Sequence, residues 1–230
     1  HMRSRMLWLI ALCLLAVPLV AKEFTVKAVR GVVEVRRGVS EEWKQVKVGD
    51  LLKPEDTMRT GTGASVTIES DAKRLTVPSL TMLDLSDVRQ MSQADFLLKL
   101  AMENILAVPP RDRDEIMIPS AAVLHGSNKA KEEAEVFASV GAGQMQLQGA
   151  RVLFDNAYYA TSILKSKATL RNNPDLRSNF DARILVAQAF EKLKLNNEAI
   201  TEYSLLAKEN LAAPQMKKVQ SSIERLKQSK

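Results

Sequence analysis

Apolar and polar residues alternate along the chain from Phe24 to about Leu85. A period of two predicts short strands that bury one face and expose the other. Glycine, proline and aspartate separate these strands, and such residues supply the backbone conformations that tight turns require. Strands interrupted this often predict an antiparallel sandwich or small barrel rather than a parallel sheet with crossover helices. The alternating apolar positions are Phe24, Val26, Ala28, Val33, Val35, Val66, Ile68, Leu75 and Val77.

After Ser86 the spacing of the apolar residues becomes that of an α-helix. Ser92 is a predicted N-cap, because its hydroxyl can accept a hydrogen bond from a backbone amide of the first turn. The predicted helix ends before Pro109-Pro110. The apolar stripe predicted for it consists of Phe96, Leu97, Leu100, Ala101 and Ile105.

From about Lys129 to the C-terminus the chain is predicted to be helical, with interruptions at residues 172–174, 194–196 and 212–214. Pro214 suits the first turn of the last helix. The predicted fold class is therefore α+β, with an antiparallel β-sandwich or small barrel followed by an α-helical bundle. The predicted domains are residues 22–88 for the β domain, 89–128 for a helical connector and loop, and 129–230 for the helical domain. The apolar face predicted for the last helix consists of Met216, Val219, Ile223 and Leu226.

The N-terminal residues 1–21 have the pattern of a secretory signal peptide. Arg3 and Arg5 precede an apolar run, and small residues end at Ala21, so cleavage is expected between Ala21 and Lys22. The alternative is a retained membrane anchor, but the run from Met6 to Ala21 is shorter than the roughly 20 residues that span a bilayer. We therefore expect an exported protein without a stable transmembrane span after cleavage.

Composition argues against several classes of function. The net charge is +6, but the basic residues are spread among acidic ones and aromatic residues make up only 5% of the chain, so a nucleic-acid partner is not expected. Removal of residues 1–21 leaves 31 basic against 27 acidic residues, a net charge of +4. Cys13 lies in the predicted leader and is the single cysteine, so we expect no disulfide, cysteine-ligated zinc or thiol nucleophile in the mature chain.

Residues 29–83 resemble the FecR-like periplasmic domain. A Gly-Val strand, a tryptophan, a Gly-Asp turn and an Arg-Thr-Gly step follow one another in the order of that family. The resemblance implies a noncatalytic module of the bacterial envelope, so we expect a periplasmic or otherwise exported location. The family's namesake senses an outer-membrane transporter and controls a sigma-factor regulator. The matching residues are Trp43, Gly49, Asp50, Asp56, Arg59, Thr60 and Gly61.

Two turns depart from the FecR-like pattern. Pro54-Glu55-Asp56 stands where the family has a Gly-Asp turn, and Asp71-Ala72-Lys73 stands where it has an Asp-Gly-Ser turn. The aspartates are expected to accept hydrogen bonds from turn amides, and Arg59 is expected to pair with Asp50 or Asp56.

Residues 186–207 resemble a tetratricopeptide repeat. The matching residues are Ala187, Ala189, Phe190, Ala199, Ile200 and Tyr203, with Lys194 in place of the usual turn glycine. Residues 154–174 are interpreted as the second helix of a more degenerate unit, with Ala157 at the small position 42 residues before Ala199. The resemblance implies a short helical stack, and repeats of this kind bind proteins through a concave face.

No set of reactive side chains indicates an enzyme. His125 is the one histidine of the predicted mature chain, and the neighbouring Ser127 belongs to no nucleophile motif. The acidic residues of 112–115 lack the spacing of a calcium loop. The pair Gly61 and Gly63 precedes a predicted strand rather than a helix, unlike a phosphate-binding loop. We expect no catalytic residues, no cofactor and no metal.

The function expected from these patterns is noncovalent: an exported envelope protein that binds or scaffolds another protein through its helical repeats. A FecR-type sensor or regulator of signalling and a peptidoglycan- or glycan-binding envelope protein are the alternatives. The competing interpretation is that at least two of the three candidate tyrosines pack in the core. The candidate partner-binding residues are Tyr158, Tyr159, Tyr203, Arg59 and Trp43.

Overall fold

The computed structural model describes residues 22–107, 137 and 140–228. In these residues eight antiparallel β-strands precede six α-helices, which confirms the predicted α+β class. The predicted signal peptide, His125 and the acidic residues of 112–115 lie outside the described residues.

The strands form two four-stranded antiparallel sheets, in the order β4-β1-β6-β7 and β3-β2-β5-β8. Every pairing within each sheet is antiparallel, as the frequent turns predict. The strand bounds are β1 Phe24–Arg30, β2 Val33–Arg36, β3 Trp43–Gln45, β4 Leu51–Leu52, β5 Thr57–Thr60, β6 Ser65–Ser70, β7 Lys73–Val77 and β8 Met82–Asp84.

A single hydrophobic core lies between the two sheets. Val26 and Ile68 of the first sheet and Val35 and Met58 of the second are buried in one cluster. Their neighbours along each strand point away from that cluster, because successive side chains of a strand alternate between its faces. The period-two prediction for residues 24–85 is thus confirmed as a sandwich.

The helices are broken near the predicted residues 172–174, 194–196 and 212–214, and also at residues 156–158, where the sequence pattern predicts a continuous helix. Ser92 caps the first one, since its Oγ accepts a hydrogen bond from the amide of Asp95 at 3.1 Å. Short 3₁₀ turns cover Leu85–Asp87 and Pro174–Leu176. The helix bounds are α1 Gln93–Leu106, α2 Ala142–Asp155, α3 Tyr159–Asn172, α4 Phe180–Lys192, α5 Asn196–Leu206 and α6 Ala213–Gln228.

The pairs α2–α3 and α4–α5 are joined by the same turn. Ala157 and Lys194 both have left-handed backbone conformations, with φ of 64° and 62°. The amide of the next residue, Tyr158 or Leu195, donates to a carbonyl five residues earlier, at 2.9 and 3.0 Å. A glycine is usual at this position because the turn requires a positive φ. Lys194 adopts this conformation in place of the glycine.

This geometry corrects the position assigned to Ala157. The residue lies in the turn and not at a small interhelical position, so its equivalent is Lys194 rather than Ala199. Ala199 itself is fully buried in α5, as the repeat pattern predicts.

The helices share a core with the sandwich. Val152 and Leu153 of α2, together with Tyr158, belong to the same buried cluster as the strand residues. Across this junction, Lys165 of α3 forms an ion pair with Asp84 of β8. The β-strands and α2 therefore form one packed unit.

Helix α1 belongs to the second core, which the helices form among themselves. Phe96 of α1 packs against Phe190 of α4 with ring centroids 6.1 Å apart, and Leu100 is buried beside them. Val219 and Leu226 anchor α6 to this core. Among the described residues, no helix has the length and apolar character needed to cross a membrane.

Candidate functional site

Arg59 and Trp43, two of the predicted partner-binding residues, lie together on the outer face of the second sheet. The strand register places Arg59 opposite Glu34, and Arg36 opposite Trp43. Nε and Nη2 of Arg59 donate to Oε2 of the buried Glu34 at 2.7 and 2.6 Å. The expected pairing of Arg59 with Asp50 or Asp56 is therefore wrong, because the register brings a different carboxylate next to it.

Aromatic rings cover the guanidinium of Arg59. Its central carbon lies 4.2 Å from the ring centroid of Trp43 and 4.0 Å from that of Phe137. Such cation–π contacts stabilise a partly desolvated arginine. Arg59 is thus engaged within the chain, and Trp43 is half-buried over it rather than packed inside the sandwich. This packing does not favour a role for Arg59 and Trp43 in contacting a partner.

The two aspartates support turns, as predicted. Oδ2 of Asp50 accepts a hydrogen bond from the amide of Lys47 at 2.8 Å. The buried Asp56 accepts from the amides of Lys53 and Gly38 at 2.9 and 3.1 Å, and from Nη1 of Arg37 at 2.9 Å. Arg37 is the arginine that pairs with this carboxylate.

The three predicted contact tyrosines are packing residues to different degrees. Tyr203 is 1% exposed, and its hydroxyl donates to Oε1 of Glu191 at 2.6 Å. Burial and this hydrogen bond raise the pKa of the Tyr203 phenol. Tyr158 is buried in the sandwich core, and Tyr159 is half-buried against Phe154 at a centroid distance of 5.3 Å. The burial of Tyr158 and Tyr203 favours the competing interpretation, in which these side chains pack in the core.

Three titratable groups meet at the junction of the sandwich and the helices. Lys165 contacts Asp84 and lies 3.9 Å from Asp87. Burial raises the pKa of the Asp87 carboxyl to about 6, against the partial compensation from Lys165. For Asp84, burial acts to raise the pKa, but the charge and hydrogen bond of Lys165 and a hydrogen bond from Thr57 hold it below its ordinary range. This cluster ties β8 to α3.

Helix α1 presents a second apolar face to solvent. The predicted stripe is split: Phe96 and Leu100 are buried, whereas Leu97, Ala101 and Ile105 are exposed. Only part of the predicted apolar stripe is buried, because apolar residues surround most of this helix and the helical core covers only one side. The large exposed side chains, with their exposed fractions, are Leu97 at 40%, Leu98 at 63%, Met102 at 56%, Ile105 at 71% and Leu106 at 62%.

We call the side opposite Phe96 and Leu100 the outer face of α1. It contains the exposed residues Ala94, Leu98, Ala101, Met102 and Ile105. Contiguous exposed apolar patches of this kind typically mark interaction sites. Sequence reasoning identified the helix but not this face, because periodicity does not say which of two apolar sides is covered.

A groove of about 560 Å³ opens at the C-terminal end of α1. Leu106, Leu170 and Val186 contribute apolar surface. We call it the basic groove, because its lining includes four cationic side chains and two carboxylates. The residues that line it are Glu103, Leu106, Ala107, Lys167, Leu170, Arg171, Arg177, Arg183, Val186 and Glu202.

Ion pairs neutralise three of the four cations in the basic groove. Lys167 pairs with Glu202 at 2.8 Å, and Arg171 pairs with Glu103 at 2.6 Å. Arg183 pairs with Glu209. The fourth cation is the exposed Arg177, whose Nη2 donates only to the carbonyl of Arg171, at 3.3 Å. Within the described part of the chain, its charge is not matched by a carboxylate.

The outer face of α1 and the basic groove offer apolar contacts and ion pairs. In residues 22–107, 137 and 140–228, histidine, cysteine, aspartate and glutamate form no group of three that would hold a metal ion. The surface combines accessible apolar side chains with a local positive charge, and both properties suit docking of another macromolecule.

Comparison with protein-family models, with characterised proteins and with solved structures finds no significant match for this chain. The resemblances of residues 29–83 and 186–207 therefore stay predictions from the sequence.

Proposed function

We propose that this protein is a noncatalytic binding protein of the bacterial cell envelope, which holds another protein on the outer face of α1. The observation that carries the proposal is the exposure of Leu98, Met102 and Ile105 along one side of a helix whose other side is anchored in a core. The envelope location rests on the predicted signal peptide and the FecR-like resemblance.

Covering this face with a partner would be favourable. Complete burial of one large aliphatic side chain contributes about 1.5–3 kcal/mol. Three such side chains would contribute about 4.5–9 kcal/mol, which offsets much of the roughly 4–15 kcal/mol cost of association. Phe96 and Leu100 hold α1 in place from beneath, so little ordering of the helix itself opposes binding.

The β-sandwich provides a rigid base for the helices in this proposal. Gly149 and Leu153 of α2 lie against the sandwich, and α3 carries Lys165 to Asp84. Helix α3 also packs against α1, whose core residues include Leu100. A partner on α1 is thereby held at a defined position relative to the FecR-like module.

Photocrosslinking from α1 tests the proposal. A photoreactive phenylalanine analogue replaces Met102 in the full-length chain, and Val39, a fully exposed residue of the sandwich, serves as the matched position. After irradiation of intact cells we expect a specific protein adduct from position 102 and none from position 39. The adduct should be lost when Ile105→Ser is added.

The same experiment separates the two alternative functions. Adducts from position 39 but not from position 102 would favour a sensor that acts through the sandwich and would contradict docking on α1. Adducts to glycan strands instead of protein, detected after digestion with a peptidoglycan hydrolase, would favour a wall-binding protein and also contradict the proposal.

A further inference from the structure

We infer that a pocket between the β-sandwich and the helices binds a small amphiphilic anion, which consists of a short apolar chain and one anionic head group. We call it the junction pocket. It lies where strands β1, β6 and β7 of the first sheet meet Val88 and the turn before α3 that carries Tyr158. No residue of α1 lines it, so the inference goes beyond the function proposed above and does not depend on it.

Buried residues of the sandwich core give the junction pocket an apolar wall. Phe24, Ile68 and Leu75 come from three neighbouring strands of the first sheet, and Val88 follows the first 3₁₀ turn. All four are at most 4% exposed. The volume of the pocket is about 220 Å³. A cavity of about 150 Å³ lined by similar side chains holds benzene, so the junction pocket has room for a short chain or a single ring.

Positive charge surrounds this apolar wall. Among the described residues, Lys22, Lys73 and Arg74 line the junction pocket and no carboxylate does. Nζ of Lys22 donates to the carbonyl of Val88 at 3.1 Å, and Arg74 pairs with Glu69 at 2.8 Å. Neither Lys22 nor Lys73 forms an ion pair within the part of the chain that the structure describes. An anionic group at this position would be attracted by charge that the protein itself leaves unmatched.

Tyr158 adds a hydrogen-bond donor to the junction pocket. Its side chain lines the pocket and is 8% exposed. Within the described residues, its hydrogen bonds use the backbone alone: its amide donates to Leu153, and its carbonyl accepts from Ser162 and Thr161. Buried polar groups of folded proteins nearly always have a hydrogen-bond partner. A head-group oxygen of the ligand would accept a hydrogen bond from the phenolic hydroxyl.

The combination of these features determines the class of ligand. An inorganic anion would leave the apolar wall uncovered, whereas a neutral hydrocarbon would leave the lysines and the hydroxyl unused. An amphiphilic cation would be repelled by the lysines. The pocket is also smaller than the roughly 300–1,000 Å³ of sites that bind drug-sized ligands, which favours a chain or ring of modest size.

Isothermal titration calorimetry with the purified full-length protein tests the inference. Octanoate and octyl phosphate are the probes, because the anionic head group is either a carboxylate or a phosphate. Octylammonium has a chain of the same length with the opposite charge, and acetate has the carboxylate without the chain. We expect at least one anionic probe to bind about tenfold or more tightly than octylammonium and acetate, with weaker binding at high salt.

Two variants locate the ligand, each with a matched control. Lys73→Glu should weaken the anionic probe about tenfold. Lys44→Glu makes the same charge change at an exposed lysine of the second sheet and should leave the affinity unchanged. Tyr158→Phe should weaken the probe about threefold to tenfold, because it removes only the hydroxyl. Tyr159→Phe, at a residue that packs against Phe154, should have no effect. Thermal unfolding verifies that each variant is folded.

Several outcomes would overturn the inference. These are failure of both anionic probes, equal binding of octylammonium, binding that survives Lys73→Glu, and equal weakening by Lys73→Glu and Lys44→Glu. The last result would reflect only the net charge of the protein.

Competition with phosphatidylglycerol vesicles identifies the source of the ligand. Displacement of the bound probe by vesicles would assign the chain to a membrane lipid, and unchanged binding would assign it to a free acid or phosphate ester; both results support the junction pocket. Photocrosslinking from position 102 tests the proposed function separately, because that position lies on α1.

Discussion

Gly149 of α2 lies against the backbone carbonyl oxygen of Met82 in β8. A Cβ atom at position 149 would approach that oxygen far closer than the 3.0 Å that real Cβ contacts respect. The absence of a side chain at position 149 therefore determines how closely α2 packs on the sandwich. The rigid placement of the helices over the sandwich depends on this contact.

Gly149→Ala should destabilise the protein by about 1–3 kcal/mol, because the added methyl group meets backbone rather than a movable side chain. Urea denaturation measures the loss. Gly141→Ala is the matched control: this residue caps the same helix, and nothing lies within 4 Å of its Cβ position. A change within about 0.5 kcal/mol is expected there, and an equal loss in both variants would contradict the close contact.

Asp87 should make stability depend on pH. Its pKa is raised from 3.8 to about 6, so the folded state binds more protons than the unfolded state between these pH values. Stability should therefore fall as pH rises through this interval. Asp87→Asn should flatten that slope. It should also stabilise the protein by about 1 kcal/mol at pH 7. This gain is smaller than the one that the full change in the pKa of Asp87 would correspond to, because solvent reaches the side chain.

Urea denaturation between pH 4 and pH 8 provides the measurement for Asp87. The side chain is 27% exposed. Asp175→Asn is the control, since this aspartate is exposed in the turn before α4. An unchanged slope in Asp87→Asn would show that the carboxyl keeps its ordinary pKa.

Arg59→Lys should destabilise the sandwich by about 1–3 kcal/mol. Lysine keeps the charge opposite Glu34 but loses the planar group between Trp43 and Phe137. Chemical denaturation followed by tryptophan fluorescence reports on this site. Arg74→Lys, in the exposed pair with Glu69, should cost less than about 0.5 kcal/mol. Equal effects at both positions would contradict the stacked arrangement.

Glycine at the two equivalent turns should stabilise the helical hairpins. Lys194→Gly and Ala157→Gly relieve left-handed backbone strain, and each should add about 0.5–1 kcal/mol after the entropic cost of glycine. Gln220→Gly, at an exposed position inside α6, should instead cost about 0.5 kcal/mol. Thermal unfolding compares the three variants, and destabilisation by both turn variants would refute the strain.

Much of the fold was predictable because it depends on local geometry. The alternation at Val33 and Val35 and at Val66 and Ile68 reflects the two faces of a strand, and the structure confirms each of these strands. Ser92 and Pro214 likewise mark helix starts through the hydrogen bonds of one turn. Such signals need no knowledge of distant residues.

The candidate site was less predictable. Tyrosine is a residue type common in binding surfaces, but neighbours distant in the sequence bury Tyr203 and Tyr158. The partner of Arg59 depends on the register of β2 and β5, which no local pattern reveals. The sequence pattern predicts Ala157 inside a helix, because the positive φ of this residue depends on the packing of the two helices that it joins.

Local sequence patterns specify the α+β class, the order of the elements and most of the turns, because strand and helix periods arise from the backbone of each segment. The side of α1 that is covered depends instead on packing between distant parts of the chain. Leu98 and Leu100 are the same residue type two positions apart, and contact with Phe190 and its neighbours buries one while the other stays exposed. Burial is a property of the assembled core, and the exposed surface is what remains after that core has formed.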